Sequence, residues 1–179
     1  MSFNSKKTAT LSVVAAALLA TCWGAQAAAG NTAVITVTAS VVSNTCTLDT
    51  PSATVALGRL SLNQFTSVDS ESSAKPFKLT LSKCGAGATG VKVSATGTED
   101  ATDNDLFKNT GAAKGFGIKI MGGDKLTKQL SKSSGLGEYP ITKPTGTTDL
   151  NLNASVVQTE AAVTAGDVTS SINLEVTYD

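Results

Sequence analysis

Hydrophobic and polar positions alternate along most of this chain with a period of two. The longest such run spans Asn31 to Cys46 (NTAVITVTASVVSNTC). Ala33, Ile35, Val37, Ala39 and Val41 fall on one face, and Val34, Thr36, Thr38, Ser40 and Val42 on the other. The run is rich in β-branched residues and free of proline and internal glycine, which predicts a β-strand with one apolar face. No Asn-Gly type of turn links it to a strand that follows. Its pairing partner therefore lies elsewhere, in its own domain or on another molecule. The last residues repeat the pattern: Ile172, Leu174, Val176 and Tyr178 share one face of a strand over 170–179.

Shorter elements fill the space between. Phe77, Leu79 and Leu81 alternate with polar residues up to Cys84, predicting a half-buried strand, and Val91 to Ala95 alternates again. Thr54 to Gly58 reads as a short strand, and Leu60 to Phe65 points Leu60, Leu62 and Phe65 inward. Phe116 to Met121, then Gly122-Gly123-Asp124, then Lys125 to Leu130 reads as a hairpin. Leu150 to Val156 is another strand, while 66–74, 135–146 and 161–167 read as loops and turns. Short strands spaced by turns, with no helical periodicity, predict an all-β sandwich of the immunoglobulin-like kind.

Composition narrows the function. Aromatics make up 4% and charged residues 16% of the 179 residues, which fits a single domain of short strands. There is no histidine, so the commonest general base and the commonest neutral metal ligand are both missing. Residues 1–27 read as a secretory signal: Lys6 and Lys7, an apolar run from Leu11 to Ala20 too short to span a bilayer, and Ala25-Gln26-Ala27 as cleavage site. Its removal leaves 12 basic against 14 acidic residues, a net charge of −2 that favours neither nucleic acid nor an anionic membrane. The expected organisation is a signal over 1–27, an extension over 28–45 and a domain over 46–179. Cys22 leaves with the signal, and export favours a disulfide between the remaining pair, Cys46 and Cys84. Such a cross-link would stabilise the fold by roughly 4 kcal/mol in the chain-entropy view.

Three chemical signals are weighed and set aside. Gly85-Ala86-Gly87-Ala88-Thr89-Gly90 has the spacing of a dinucleotide-binding loop, but that loop must open a helix, and here a strand follows. Glu99, Asp100, Asp103 and Asp105 form an acidic loop, yet Lys108 stands where a calcium loop of the EF-hand type needs glycine. Paired carboxylates also suit glycoside hydrolysis, but nothing else in the sequence suggests a sugar cleft. With no histidine and both mature cysteines paired, no nucleophile–base pair can be assembled from the usual parts, so the chain is expected not to be an enzyme and to hold no metal or cofactor.

Several of these elements, in this order, resemble the pilins of the chaperone–usher pathway, the structural subunits of type 1 fimbriae among them. They are the alternating extension ending at Cys46; Val55-Ala56-Leu57-Gly58; Pro76-Phe77 to Leu81 closing on Cys84; Gly115-Phe116-Gly117-Ile118-Lys119-Ile120; Ala165-Gly166-Asp167-Val168; and the last strand with penultimate Tyr178. The resemblance implies an incomplete immunoglobulin-like β-sandwich lacking its last strand, with an N-terminal donor-strand extension and one disulfide. It implies that a periplasmic chaperone fills the resulting groove, and that the extension of the next subunit replaces it at the outer-membrane usher. On that reading Ala33, Ile35, Val37, Ala39 and Val41 are the donor residues. Ile172, Leu174, Val176 and Tyr178 line the acceptor groove and bind the chaperone, which also anchors the Asp179 carboxylate. Ala39 stands where many relatives have glycine. The partners expected are the chaperone, the usher and neighbouring pilin subunits, with no nucleic acid and no small-molecule substrate. The destination is a surface fimbrium of a Gram-negative bacterium, used in adhesion. The competing expectation is a self-complemented periplasmic protein, or a minor capping or adhesive subunit outside the shaft.

Overall fold

The computed structural model describes residues 38, 45–133, 135–142 and 146–179. The chain separates into two units, Met1–Ala39 and Ser40–Asp179. The second is a sandwich of two antiparallel sheets. Nine strands occur among the described residues: β1 (Thr47–Leu48), β2 (Lys75–Ser82), β3 (Gly90–Gly97), β4 (Phe107–Lys108), β5 (Phe116–Gly122), β6 (Lys128–Gln129), β7 (Gly137–Pro140), β8 (Thr148–Gln158) and β9 (Ile172–Tyr178). One sheet runs β1-β2-β8-β5-β4, with β6 folded back onto β5. The other has only three strands, β7-β3-β9.

The period-two pattern sends one face of each strand into a shared core. Leu79 and Leu81 from β2, Ile118 and Ile120 from β5, and Leu150, Leu152 and Ala154 from β8 meet Val91, Val93 and Ala95 from β3. Fully burying each aliphatic side chain contributes about 1.5–3 kcal/mol, so this cluster dominates the stability of the domain. A second cluster closes one end, where Phe65 and Phe116 pack edge to face with ring centres 4.9 Å apart. The expected disulfide is present: Cys46 is bonded to Cys84, tying the start of β1 to the end of β2.

Three expectations change. Residues 54–58 form no strand. Val55 and Leu57 are half-buried against the core, as their alternation implied, but the backbone there has no sheet neighbour among the described residues. Leu62 points outward, 40% exposed, because Ser61 caps a turn of 3₁₀ helix at Leu62–Gln64 that rotates it away from Phe65. And the turn-rich stretch after Gly135 contains β7, which pairs with β3 from Gly90↔Pro140 to Val93↔Gly137.

The two sheets are tied by Tyr139 on β7. Its hydroxyl donates to the carbonyl of Asn151 on β8 at 2.7 Å and accepts from the amide of Gly123 at 2.9 Å. The last β5–β8 pair is Met121 with Asn153. Continued in register, Gly122 would face Leu152 and Gly123 would face Asn151, so the phenol stands where a ladder hydrogen bond between the latter two would otherwise form. Gly122 makes room for it, since a Cβ there would lie 2.9 Å from the hydroxyl. Burial pushes the Tyr139 phenol above its ordinary pKa, against the lowering effect of the Gly123 amide, so it stays a neutral donor.

Candidate functional site

β9 is the outermost strand of the three-stranded sheet. It pairs with β3 from Gly97↔Ile172 to Val91↔Tyr178, and among the described residues nothing pairs with its other edge. The two neighbours follow the same inward alternation but differ in cover. On β3, Val91, Val93 and Ala95 are 0–1% exposed. On β9, Ile172, Leu174, Val176 and Tyr178 are only half-buried, while Asn173, Glu175 and Thr177 are exposed. All four packed residues touch the main core cluster. So do half-buried Cys46, Leu48, Val55, Leu57 and Phe77, from segments that do not belong to the β9 sheet. Among the described residues nothing covers this strand edge, although an apolar core reaches it, which is the arrangement natural sheets otherwise avoid.

The edge is held firmly at both ends. Before β9, Asn109 Oδ1 accepts the amides of Thr169 and Gly111 at 2.9 Å each, its Nδ2 donates to Ala113, and the Thr110 amide donates to the Thr169 carbonyl at 2.8 Å. After β9, the Asp179 amide donates to Gly90 at 3.1 Å, and the Thr89 amide to the Asp179 carbonyl at 3.3 Å. Lys92 Nζ lies 2.7 Å from the Asp179 carboxylate. The hydrogen bond to that carboxylate, and then its charge, raises the Lys92 ammonium above its ordinary pKa. The Tyr178 hydroxyl donates to the Cys46 carbonyl at 3.3 Å, so the end of β9 sits beside the disulfide.

Of the residues expected to act, the structure brings Ile172, Leu174, Val176 and Tyr178 onto one strand edge, with Asp179 just past its end, and places Cys46 and Cys84 beside that end. Ala33, Ile35, Val37, Ala39 and Val41 lie outside the described residues. Sequence reasoning missed the Asn109 clamp, whose only local signal is the Asn-Thr-Gly turn. Among the described residues, no group of three or more His, Cys, Asp or Glu is placed to hold a metal ion. In the acidic loop, Asp100 and Asp103 accept backbone amides of their own turn, and Asp105 accepts the hydroxyl of Ser131.

The sequence family described as fimbrial protein matches residues 35–179. This chain belongs to that family. The fimbrial subunit is 30% identical over 177 residues to the S-fimbrial protein subunit SfaG of Escherichia coli, covering 96% of each chain. It is 32% identical over 150 residues to the probable major fimbrial subunit LpfA of Escherichia coli O157:H7, covering 79% of this chain and 81% of that protein. Its fold is similar to that of the P pilus rod subunit PapA, with a TM-score of 0.61 at 23% identity over 75% of this chain and 99% of the other. The all-β sandwich with one disulfide is thus the pilin fold.

Proposed function

We propose that this fimbrial subunit is a structural protein that polymerises by strand addition and carries no catalytic role. Ala33, Ile35, Val37, Ala39 and Val41 of one subunit lay their apolar face along β9 of the next. There they pair with its free edge and cover Ile172, Leu174, Val176 and Tyr178. Added strands gain backbone hydrogen bonds along the edge and side-chain burial in alternate positions. Before that exchange a periplasmic chaperone covers the same edge, and an outer-membrane usher hands the subunit on to a growing surface fibre used in adhesion. The observation that carries the reading is the contrast between β3 and β9: one inward pattern, sealed on the inner strand and open on the outer one. Likeness over most of their length to subunits described as fimbrial supports the fibre as the destination.

The test is fibre assembly in cells. Deleting residues 28–44, which keeps the Thr45 carbonyl for its bond to the Gly85 amide, is expected to abolish incorporation while leaving the chaperone-bound subunit. Ala39→Phe is expected to do the same by overfilling the centre of the joint. Fibres of normal yield from the deletion would overturn the proposal, and fibres of normal yield from Ala39→Phe would overturn this register of the arm.

A further inference from the structure

β9 is attached to its domain in different ways at its two ends. The residues before it, 164–169, lie against 109–114, the connection from β4 to β5 in the other sheet. Lys114 and Thr164 exchange both backbone hydrogen bonds, at 3.3 and 3.2 Å, and the Ala113 amide donates to the Asp167 carbonyl at 3.1 Å. The Thr110 hydroxyl donates to the Thr169 carbonyl at 3.1 Å, beside the bonds supplied by Asn109 and the Thr110 amide. The two backbones lie closer than side chains allow. A Cβ on Gly111 would overlap the Asp167 carbonyl oxygen, and one on Gly166 would lie 2.5 Å from the Ala113 amide nitrogen. Val168, inside this clamp, packs against both core clusters.

The Tyr178 end is held by weaker means. The two backbone bonds of Asp179, to Gly90 and from Thr89, are 3.1 and 3.3 Å long. The Tyr178 hydroxyl reaches the Cys46 carbonyl at 3.3 Å, beyond the about 2.5–3.0 Å of an ordinary hydroxyl bond. The Lys92 and Asp179 side chains are 33% and 49% exposed, and an ion pair so open to water contributes little. Opening this end takes β9 away from β3 alone. Opening the Ile172 end also breaks the clamp to the other sheet.

We infer that β9 is hinged: the clamp around Asn109 fixes its leading end, and local opening starts at Tyr178 and runs back toward Ile172. This order is set by the bonds that β9 makes within its own domain and does not need the strand-addition reading above.

Amide exchange reads the order along the strand. The Asp179 amide donates to Gly90, so alternation along the ladder also turns the amides of Thr177, Glu175 and Asn173 toward β3. In native-state hydrogen exchange of the mature chain, protection is expected to rise from Thr177 through Glu175 to Asn173, at least about tenfold in all. Asn109→Ala removes three hydrogen bonds from the clamp, and Gly111→Ala forces its two backbones apart. Each is expected to lower the protection of Asn173 at least about tenfold and that of Thr177 less than about twofold. Lys92→Met, at the other end, is expected to leave Asn173 unchanged. Asn109→Ala adds no clash and decides the matter if Gly111→Ala fails to fold. Thr177 protected as well as Asn173 in the unmodified chain would refute the hinge. So would clamp variants that leave Asn173 unchanged, or that lower all three amides by one factor, since the clamp would then serve global stability alone.

Discussion

Replacing Tyr139 with Phe isolates the tie between the sheets. The ring is 4% exposed and packed in the main cluster, so Phe keeps the volume and removes only the oxygen. Two groups lose their partner. The Gly123 amide is buried, and a buried donor left unsatisfied costs about 1–3 kcal/mol. Asn151 is an exposed residue, so its carbonyl adds only up to about 1 kcal/mol. The expected loss is about 1–4 kcal/mol, a large share of the stability of a small domain. It is read by urea denaturation of the mature chain. The urea dependence is expected to stay the same while the midpoint falls, and the Gly123 amide proton is expected to exchange faster with solvent. The alternative is that Gly123 and Asn151 close up and form the missing ladder bond themselves. A loss below about 0.5 kcal/mol with Gly123 still protected would establish that, and would refute the role given to the phenol.

Two further outcomes follow from the geometry. Cys46→Ala with Cys84→Ala opens a loop with a sequence separation of 38, and is expected to lower stability by roughly 4 kcal/mol in the chain-entropy view, measured by the same denaturation series. Glu71 lies on the outer face of β8 and β5, paired with Lys119 at 2.8 Å and accepting the Ser155 hydroxyl at 2.6 Å. Burial works to raise its pKa, but the hydrogen bonds from Lys119 and Ser155 and the Lys119 charge outweigh it, and the carboxyl ends below its ordinary value. Its contribution is complete above the ordinary carboxylate range and is lost as pH falls through the lowered native value. Glu71→Gln is therefore expected to flatten the acid side of a stability-against-pH curve and to leave its slope near neutrality unchanged.

Side-chain alternation made the strands legible where a strand has one wet face. β2, β9 and the β5–β6 hairpin stand where Phe77 to Leu81, Ile172 to Tyr178 and the Gly122-Gly123-Asp124 turn put them. The same signal misleads at Val55 and Leu57. It reports that side chains alternate between core and solvent, not that the backbone has a neighbour. β7 was hidden because Gly137 brings no side chain and Pro140 resembles a turn, leaving Tyr139 as its only inward marker. The far end of β8 loses its alternation for another reason. Beyond Ala154 the loop before β2 takes over its edge: Ser72 bonds to Val156, and Ser70 and Asp69 to Gln158. Of the candidate site, the apolar face of β9 was visible in the residues. That no described strand pairs with its outer edge was implied by the resemblance and not by the residues of β9 themselves, because an edge is a property of the whole sheet order.

The disulfide has a mechanical meaning. A pull applied through the extension arrives at Cys46 and passes by a covalent bond into Cys84, at the end of β2. β2 is locked to β8 along seven residue pairs, and the force runs lengthwise along that ladder, so the seven must slide together before any gives way. Without the sulfur bridge, the same pull would fall first on the two pairs of β1, a far shorter ladder than the seven pairs of β2 with β8.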